Sequence, residues 1–156
     1  MRRALALLFA LTASVACAPK LIPGTEIRDS DDNRQILEVF SAYRTALEAR
    51  SVDGIMKLVH PSFFDDSGTP DGSDDFDYKG LKAKLTNWVE KTQTVRANLQ
   101  VKRIDVKANL TTVKYFYDLN YEILGPDGAP TWKRDSDSKE TTLRRVDGRW
   151  MIIRGL

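Results

Sequence analysis

At Thr92 the hydrophobic period of this chain changes, and that change constrains the fold more than any other feature. Before it, apolar side chains recur every three or four residues; after it, every second residue. Ile36, Phe40, Tyr43 and Leu47, flanked by Leu37, Val39 and Ala46, form one helical face, with Arg44 and Arg50 towards its carboxyl end. Asp29, Ser30, Asp31 and Asp32 offer N-caps and set acid at the positive end of the helix dipole. Ser51 caps a second helix over Val52–Val59 that buries Ile55, Leu58 and Val59, and Pro61 helps to end it. Ser62–Asp65 reads as a short extended piece, and Asp66–Asp77 as a loop rich in Asp, Gly, Ser and Pro. A third helix is predicted over Tyr78–Lys91, with Leu81, Leu85, Trp88 and Val89 on one face.

In the second half Leu99 and Val101 alternate, then Ile104 and Val106 continue out of phase, which a bulge at Lys102 or Arg103 reconciles. After a turn at Asn109, Val113, Tyr115, Tyr117, Leu119, Tyr121 and Ile123 share one strand face. Gly125–Gly128 is a turn, Trp132–Val146 a polar strand, and Asp147-Gly148 a tight hairpin turn into a final strand, Arg149–Arg154. Three helices followed by four long antiparallel strands, with the helices segregated to one side, define an α+β domain.

The amino terminus gives an address. Arg2 and Arg3 precede an apolar stretch, Ala4–Val15, that is too short for a membrane-spanning helix, which needs about 20 apolar residues, and fits the core of a signal peptide. Ser14-Val15-Ala16-Cys17 resembles the lipobox of bacterial lipoproteins, although Ser14 stands where that family prefers leucine. The resemblance implies a signal peptide over 1–16, a lipid on Cys17 and an anchor in the membrane. Ala18 follows, rather than the aspartate that retains some lipoproteins at the inner membrane, so the outer membrane facing the periplasm is expected. Residues 17–28 then read as the lipidated cysteine and an extended tether, and 29–156 as the folded domain. Ordinary secretion, cut near Ala16 or Ala18 with Cys17 incidental, is the rival reading.

Composition narrows the partners. The chain holds 24 basic and 22 acidic residues, and loss of Arg2 and Arg3 with the signal leaves a neutral product. Without a basic surplus there is no electrostatic case for nucleic acid. With one cysteine, no intramolecular disulfide can form, so stability rests on packing.

The order of elements resembles the nuclear transport factor 2-like superfamily, the cone-shaped, cystatin-like α+β fold that includes ketosteroid isomerases and polyketide cyclases. The residues that carry the likeness are Ile36-x3-Phe40-x2-Tyr43-x3-Leu47, Val52-Asp53-Gly54-Ile55-x2-Leu58 and the closing hairpin Leu143–Ile152. These are packing and turn residues, so they speak for fold and not for activity. The resemblance implies three helices on a curved sheet of four long strands plus a short one. It also implies a hollow between them, and dimers formed through the sheet.

Candidate chemistry follows from that hollow. Asp66 or Asp65 would stand where isomerases and cyclases of this resemblance place a proton-moving carboxylate; against this, both begin a solvated acidic loop. Tyr43, Tyr115, Tyr117 and Tyr121, with Trp88, would line a pocket for a small apolar ligand, one tyrosine serving an oxyanion if there is chemistry; the alternative is an aromatic core. His60 is the only histidine and lacks partners for zinc or a triad, so it reads as a surface residue at a helix end. The loop 65–77 fails the EF-hand pattern, leaving only an irregular calcium site or, more simply, a flexible loop at the cone mouth. No metal or cofactor is expected. Phe116, Trp132 and Trp150 either cover the outer face of the sheet in a homodimer, or are scattered surface aromatics, or, for the tryptophans, turn into the core. Three functions compete: a non-catalytic binder of a small apolar ligand or a protein partner, an isomerase- or cyclase-type enzyme, and a structural dimerisation module.

Overall fold

A computed structural model describes residues 19–68, 72–125 and 127–156. Helix α1 spans Asp31–Glu48, capped by the Ser30 hydroxyl, which accepts the Asn33 N–H at 3.3 Å. Its buried face is Ile36, Phe40, Ala46 and Leu47. Arg50 ends it in the left-handed region (φ 51°), so that Arg50 N–H reaches Leu47 O and Ser51 N–H reaches Ala46 O. That pattern is a Schellman motif, with arginine where glycine is usual. The Arg50 guanidinium in turn donates to Thr92 O, at the start of the sheet.

Helix α2 spans only Val52–Met56, three residues short of the expected end, with Ser51 as its N-cap. The cause is tertiary. Ile152 donates to Leu58 O and accepts from His60 N–H, both at 2.8 Å, so the chain leaves the helix to make a parallel bridge at Val59. Strand β1, Phe64–Asp65, pairs with β2, Phe76–Asp77, across the acidic loop. Asp77 caps helix α3, Tyr78–Lys91, at the bounds expected from the sequence.

The main sheet has the order β3-β4-β5-β6, with β3 Thr92–Lys107, β4 Leu110–Leu124, β5 Pro130–Val146 and β6 Arg149–Arg154, all neighbours antiparallel. The register of β3 against β4 shifts between Val101 and Arg103, the bulge that the phase change required. Asp147 and Gly148 both have positive φ (48° and 79°), the backbone of a type I′ hairpin. Strand β5 begins at Pro130 rather than Trp132, since a first strand position makes no demand on the missing N–H.

The core lies between the helices and one face of the curved sheet: Ile36, Phe40, Ile55, Val59, Phe63, Leu81, Val113, Tyr115, Leu143, Trp150 and Ile152 form one cluster. Trp150 is turned into it, because it shares the inward alternation of Ile152, whereas Trp132 is 50% exposed. Phe116 is half-buried.

The tether expected over 18–28 is not extended in its described part. Leu21 bridges Arg28, Ile22 N–H bonds Ile27 O at 2.9 Å, and Asp29 N–H bonds Lys20 O at 2.7 Å. This hairpin docks through Ile27, which is buried, and through the Asn33 side-chain amide on Arg28 O. Burying isoleucine outweighs the freedom of an extended chain, and composition alone did not reveal the docking site. Residues 1–18, with Cys17 and the expected signal peptide, lie outside the described residues.

Candidate functional site

Asp65 is the one carboxylate of the candidate pair that points inward. It sits on β1 opposite Phe76, and is only 8% exposed. Its oxygens are nevertheless taken. Oδ1 accepts Ser67 N–H at 3.0 Å, and Oδ2 accepts Gly155 N–H at 3.0 Å and Leu156 N–H at 3.3 Å. A carboxylate has about four acceptor positions, and three of these hold backbone. Asp65 therefore ties the β1 segment to the residues following β6. Its charge is felt by Tyr115.

Asp66, one residue on, faces the rim. Arg154 donates to both of its oxygens, at 2.6 and 2.8 Å, and Gly68 N–H donates to Oδ1. The Gly68 N–H first, and then the Arg154 charge, hold the Asp66 carboxyl below its ordinary range. A carboxylate held that way is a weaker base than a free one.

The tyrosines divide. Tyr115 is buried and packs edge-on to Phe40, with centroids 4.9 Å apart. Tyr43 is half-buried, and burial of its phenol, together with Tyr115 and Tyr117 nearby, pushes its pKa up. Burial raises Tyr115 as well, opposed by the Thr141 hydroxyl. Tyr117 lies at the rim, donates to Asp135 at 3.3 Å, and is pushed up to about 12 by burial and the Asp135 charge. Tyr121 packs against Trp88 under α3, centroids 6.2 Å apart. The structure thus gathers Tyr43, Tyr115 and Tyr117, with the Asp65 charge within electrostatic reach of Tyr115. It leaves Asp66 outside and Tyr121 with Trp88 in a separate pair.

His60 Nδ1 accepts Ser62 N–H at 3.1 Å and meets the Ser62 hydroxyl at 2.7 Å, a local turn at the end of α2. Among the described residues no group of three or more His, Cys, Asp or Glu is arranged to hold a metal.

Two hollows matter here, and only one is near these groups. The smaller, about 510 Å³, lies on the outer side of Asp65 and Asp66, bounded by Phe76, Lys139 and Arg154. The larger, about 780 Å³, is elsewhere: it runs between the 22–27 turn, α1 and β3. Leu37, Phe40, Leu99 and Val101 make its floor, and Glu26, Arg44 and Lys102 stand among its polar walls. Neither is lined by Tyr43, Tyr115, Tyr117, Tyr121 or Trp88. Sequence reasoning missed this second groove. Its one early signal was the phase change at Lys102, which marked a bulge.

No protein-family model and no curated protein matches the chain. Solved structures do. A ketosteroid isomerase-like protein from Erwinia carotovora atroseptica superposes with a TM-score of 0.65 at 14% identity, covering 81% of this chain and 95% of that one. A candidate dehydratase of the NTF2-like family from Streptomyces avermitilis gives 0.63 at 13%, covering 80% and 93%. A conserved protein from Planctomyces limnophilus gives 0.67 at 14%, covering 80% and 92%. At such identities the likeness concerns fold alone. The described domain of this chain has the cone-shaped α+β fold of the nuclear transport factor 2-like proteins.

Proposed function

We propose that this chain is a bacterial envelope lipoprotein, anchored through Cys17 and facing the periplasm from the outer membrane, whose domain binds a small apolar ligand or a protein partner without catalysing a reaction. The observation that carries the non-catalytic reading is the engagement of both carboxylates: Asp65 by three backbone N–H groups and Asp66 by Arg154 and Gly68. A general base works with a carboxylate free to turn towards its substrate; Asp65 keeps only about one acceptor position, on an oxygen already bonded to Ser67 N–H, and Asp66 is paired with a cation. Incubation with an enolisable ketone in D2O is expected to give no protein-dependent deuterium uptake by mass spectrometry. Uptake that disappears in Asp65→Asn would overturn this reading.

The address rests on the Arg2-Arg3, Ala4–Val15 and Ser14–Cys17 pattern. Intact-mass measurement of the mature protein is expected to find an acylated amino-terminal Cys17; an unmodified thiol refutes the anchor. Because the chain folds back from Lys20, only residues 18 and 19 separate the anchor from the docked hairpin. Two or three residues reach about 10 Å, so the domain rests close to the headgroups rather than floating clear.

The enzyme reading keeps one supporting observation, the buried Asp65 within electrostatic reach of Tyr115, and the ketosteroid isomerase-like neighbour accords with it. Homodimerisation through the outer sheet face would use Phe116 and Trp132; sedimentation of Trp132→Lys against the parent protein tests it, and equal masses for the two would count against a sheet dimer.

A further inference from the structure

We propose that the groove between the 22–27 turn, α1 and β3 binds an amphipathic carboxylate: an unbranched apolar tail along its floor and the acid head at Arg44 and Lys102. The inference deepens the non-catalytic binding reading and rests on it. The floor combines two periods. Leu37 and Phe40 are one turn apart on α1, and Leu99 and Val101 are alternate residues of β3. Of these only Phe40 is buried; Leu37, Leu99 and Val101 are left half-open, so the groove presents apolar surface that the described residues cover only in part. A volume of about 780 Å³ is that of a small-molecule site.

The head-group end is set by charge. Arg44 lies one turn beyond Phe40 and its side chain, among the described residues, makes no ion pair or hydrogen bond. Lys102 occupies the bulge, the position where β3 gains a residue against β4, so its side chain escapes strict alternation and can join the Val101 side. Its one bond is to Gln100 Oε1, at 2.9 Å, a neutral acceptor. The single carboxylate on the lining, Glu26, pairs with neither cation, so the groove carries one surplus positive charge. One negative head neutralises that surplus, and the planar guanidinium of Arg44 matches a carboxylate by two parallel hydrogen bonds.

The probe is 11-(dansylamino)undecanoic acid, titrated into the purified protein and competed with laurate, dodecyl phosphate or dodecanol. Saturable enhancement of dansyl emission is expected, displaced by laurate at concentrations at least about tenfold below those needed for dodecanol. In Arg44→Gln/Lys102→Gln the laurate affinity is expected to fall at least about tenfold while dodecanol competes as before. The inverse substitution Glu26→Gln is expected to tighten laurate binding, a gain that a misfolded variant would not give. Displacement by dodecyl phosphate in preference to laurate would overturn the carboxylate assignment. Laurate binding indifferent to Arg44, Lys102 and Glu26 would overturn the groove while leaving the binding reading intact. Absence of displacement by any of the three competitors, with no other small apolar ligand found, would remove both.

Discussion

The space between the helices and the sheet and the groove beside the 22–27 turn share Phe40, yet they are finished differently. Inside, Phe40 meets Tyr115, and the polar groups that enter are tied down, Asp65 by backbone N–H groups and Thr141 by donating to Gly155 O at 2.6 Å. Outside, the neighbours of Phe40 are half-covered side chains and two cations without acid partners. The first region is built as core, where most polar groups that enter are bonded to the protein, Trp150 Nε1 being a buried exception. The second, the proposed site, has an apolar floor and charge left over. The comparison teaches that the carboxylates a sequence marks as chemical can be structural fasteners, while open apolar surface and spare charge collect at a flank.

The strongest way to break this contrast is at the shared residue. Phe40→Ala is expected to cost about 4 kcal/mol of stability, read from denaturant midpoints, because it empties a packed site. A cost below about 1 kcal/mol would mean the interior is as loose as the groove.

Asp65→Ala tests the fastener role next. It strands three N–H groups and is expected to cost about 3 kcal/mol, with faster amide exchange at Gly155 and Leu156. An unchanged midpoint would return Asp65 to the list of groups held for chemistry.

Tyr115→Phe should cost about 1 kcal/mol, since the ring stays and only the hydroxyl beside Thr141 goes. A larger loss in ligand affinity than in stability would show the interior to be the binding site after all.

The smallest effect is at the rim. The Asp66 pKa is lowered in the folded state, so its contribution is present above the unfolded carboxylate pKa and is lost as pH falls through the folded value. The thermal midpoint of Asp66→Asn is therefore expected to lie slightly below that of the parent at pH 7 and to converge with it as the pH falls below the ordinary carboxylate range and through the folded value. A gap that persists in acid would mean the carboxylate's charge contributes nothing.

Most of the fold was written locally. The limits of α3, the strand β6, the bulge after Val101 and the turn at Asp147-Gly148 follow from period, caps and turn chemistry within a few residues. What was not legible depends on partners far along the chain. Helix α2 stops where Ile152 intervenes, and the 20–29 hairpin exists because Ile27 finds a place against the domain. The site divides in the same way. That an acid follows Phe63-Phe64 could be read; that its oxygens meet residues 155 and 156, some ninety positions on, could not. Trp150 inward and Trp132 outward are consequences of strand parity, but only once Ile152 and Leu143 are known to be the buried members.

One feature of the sheet bears on how copies of this protein meet one another. Strand β6 pairs β5 only from Thr142 to Val146, so the stretch from Pro130 to Glu140 is an uncovered margin, exposed at every residue. A bare margin of that length would ordinarily act as a template on which neighbouring copies stitch themselves together. Here Lys133, Arg134, Asp135, Asp137, Lys139 and Glu140 crowd it with both signs of charge. An incoming strand would have to strip water from those groups before gaining a single ladder bond, so charge opposes pairing along this edge where no helix or loop of the described residues covers it.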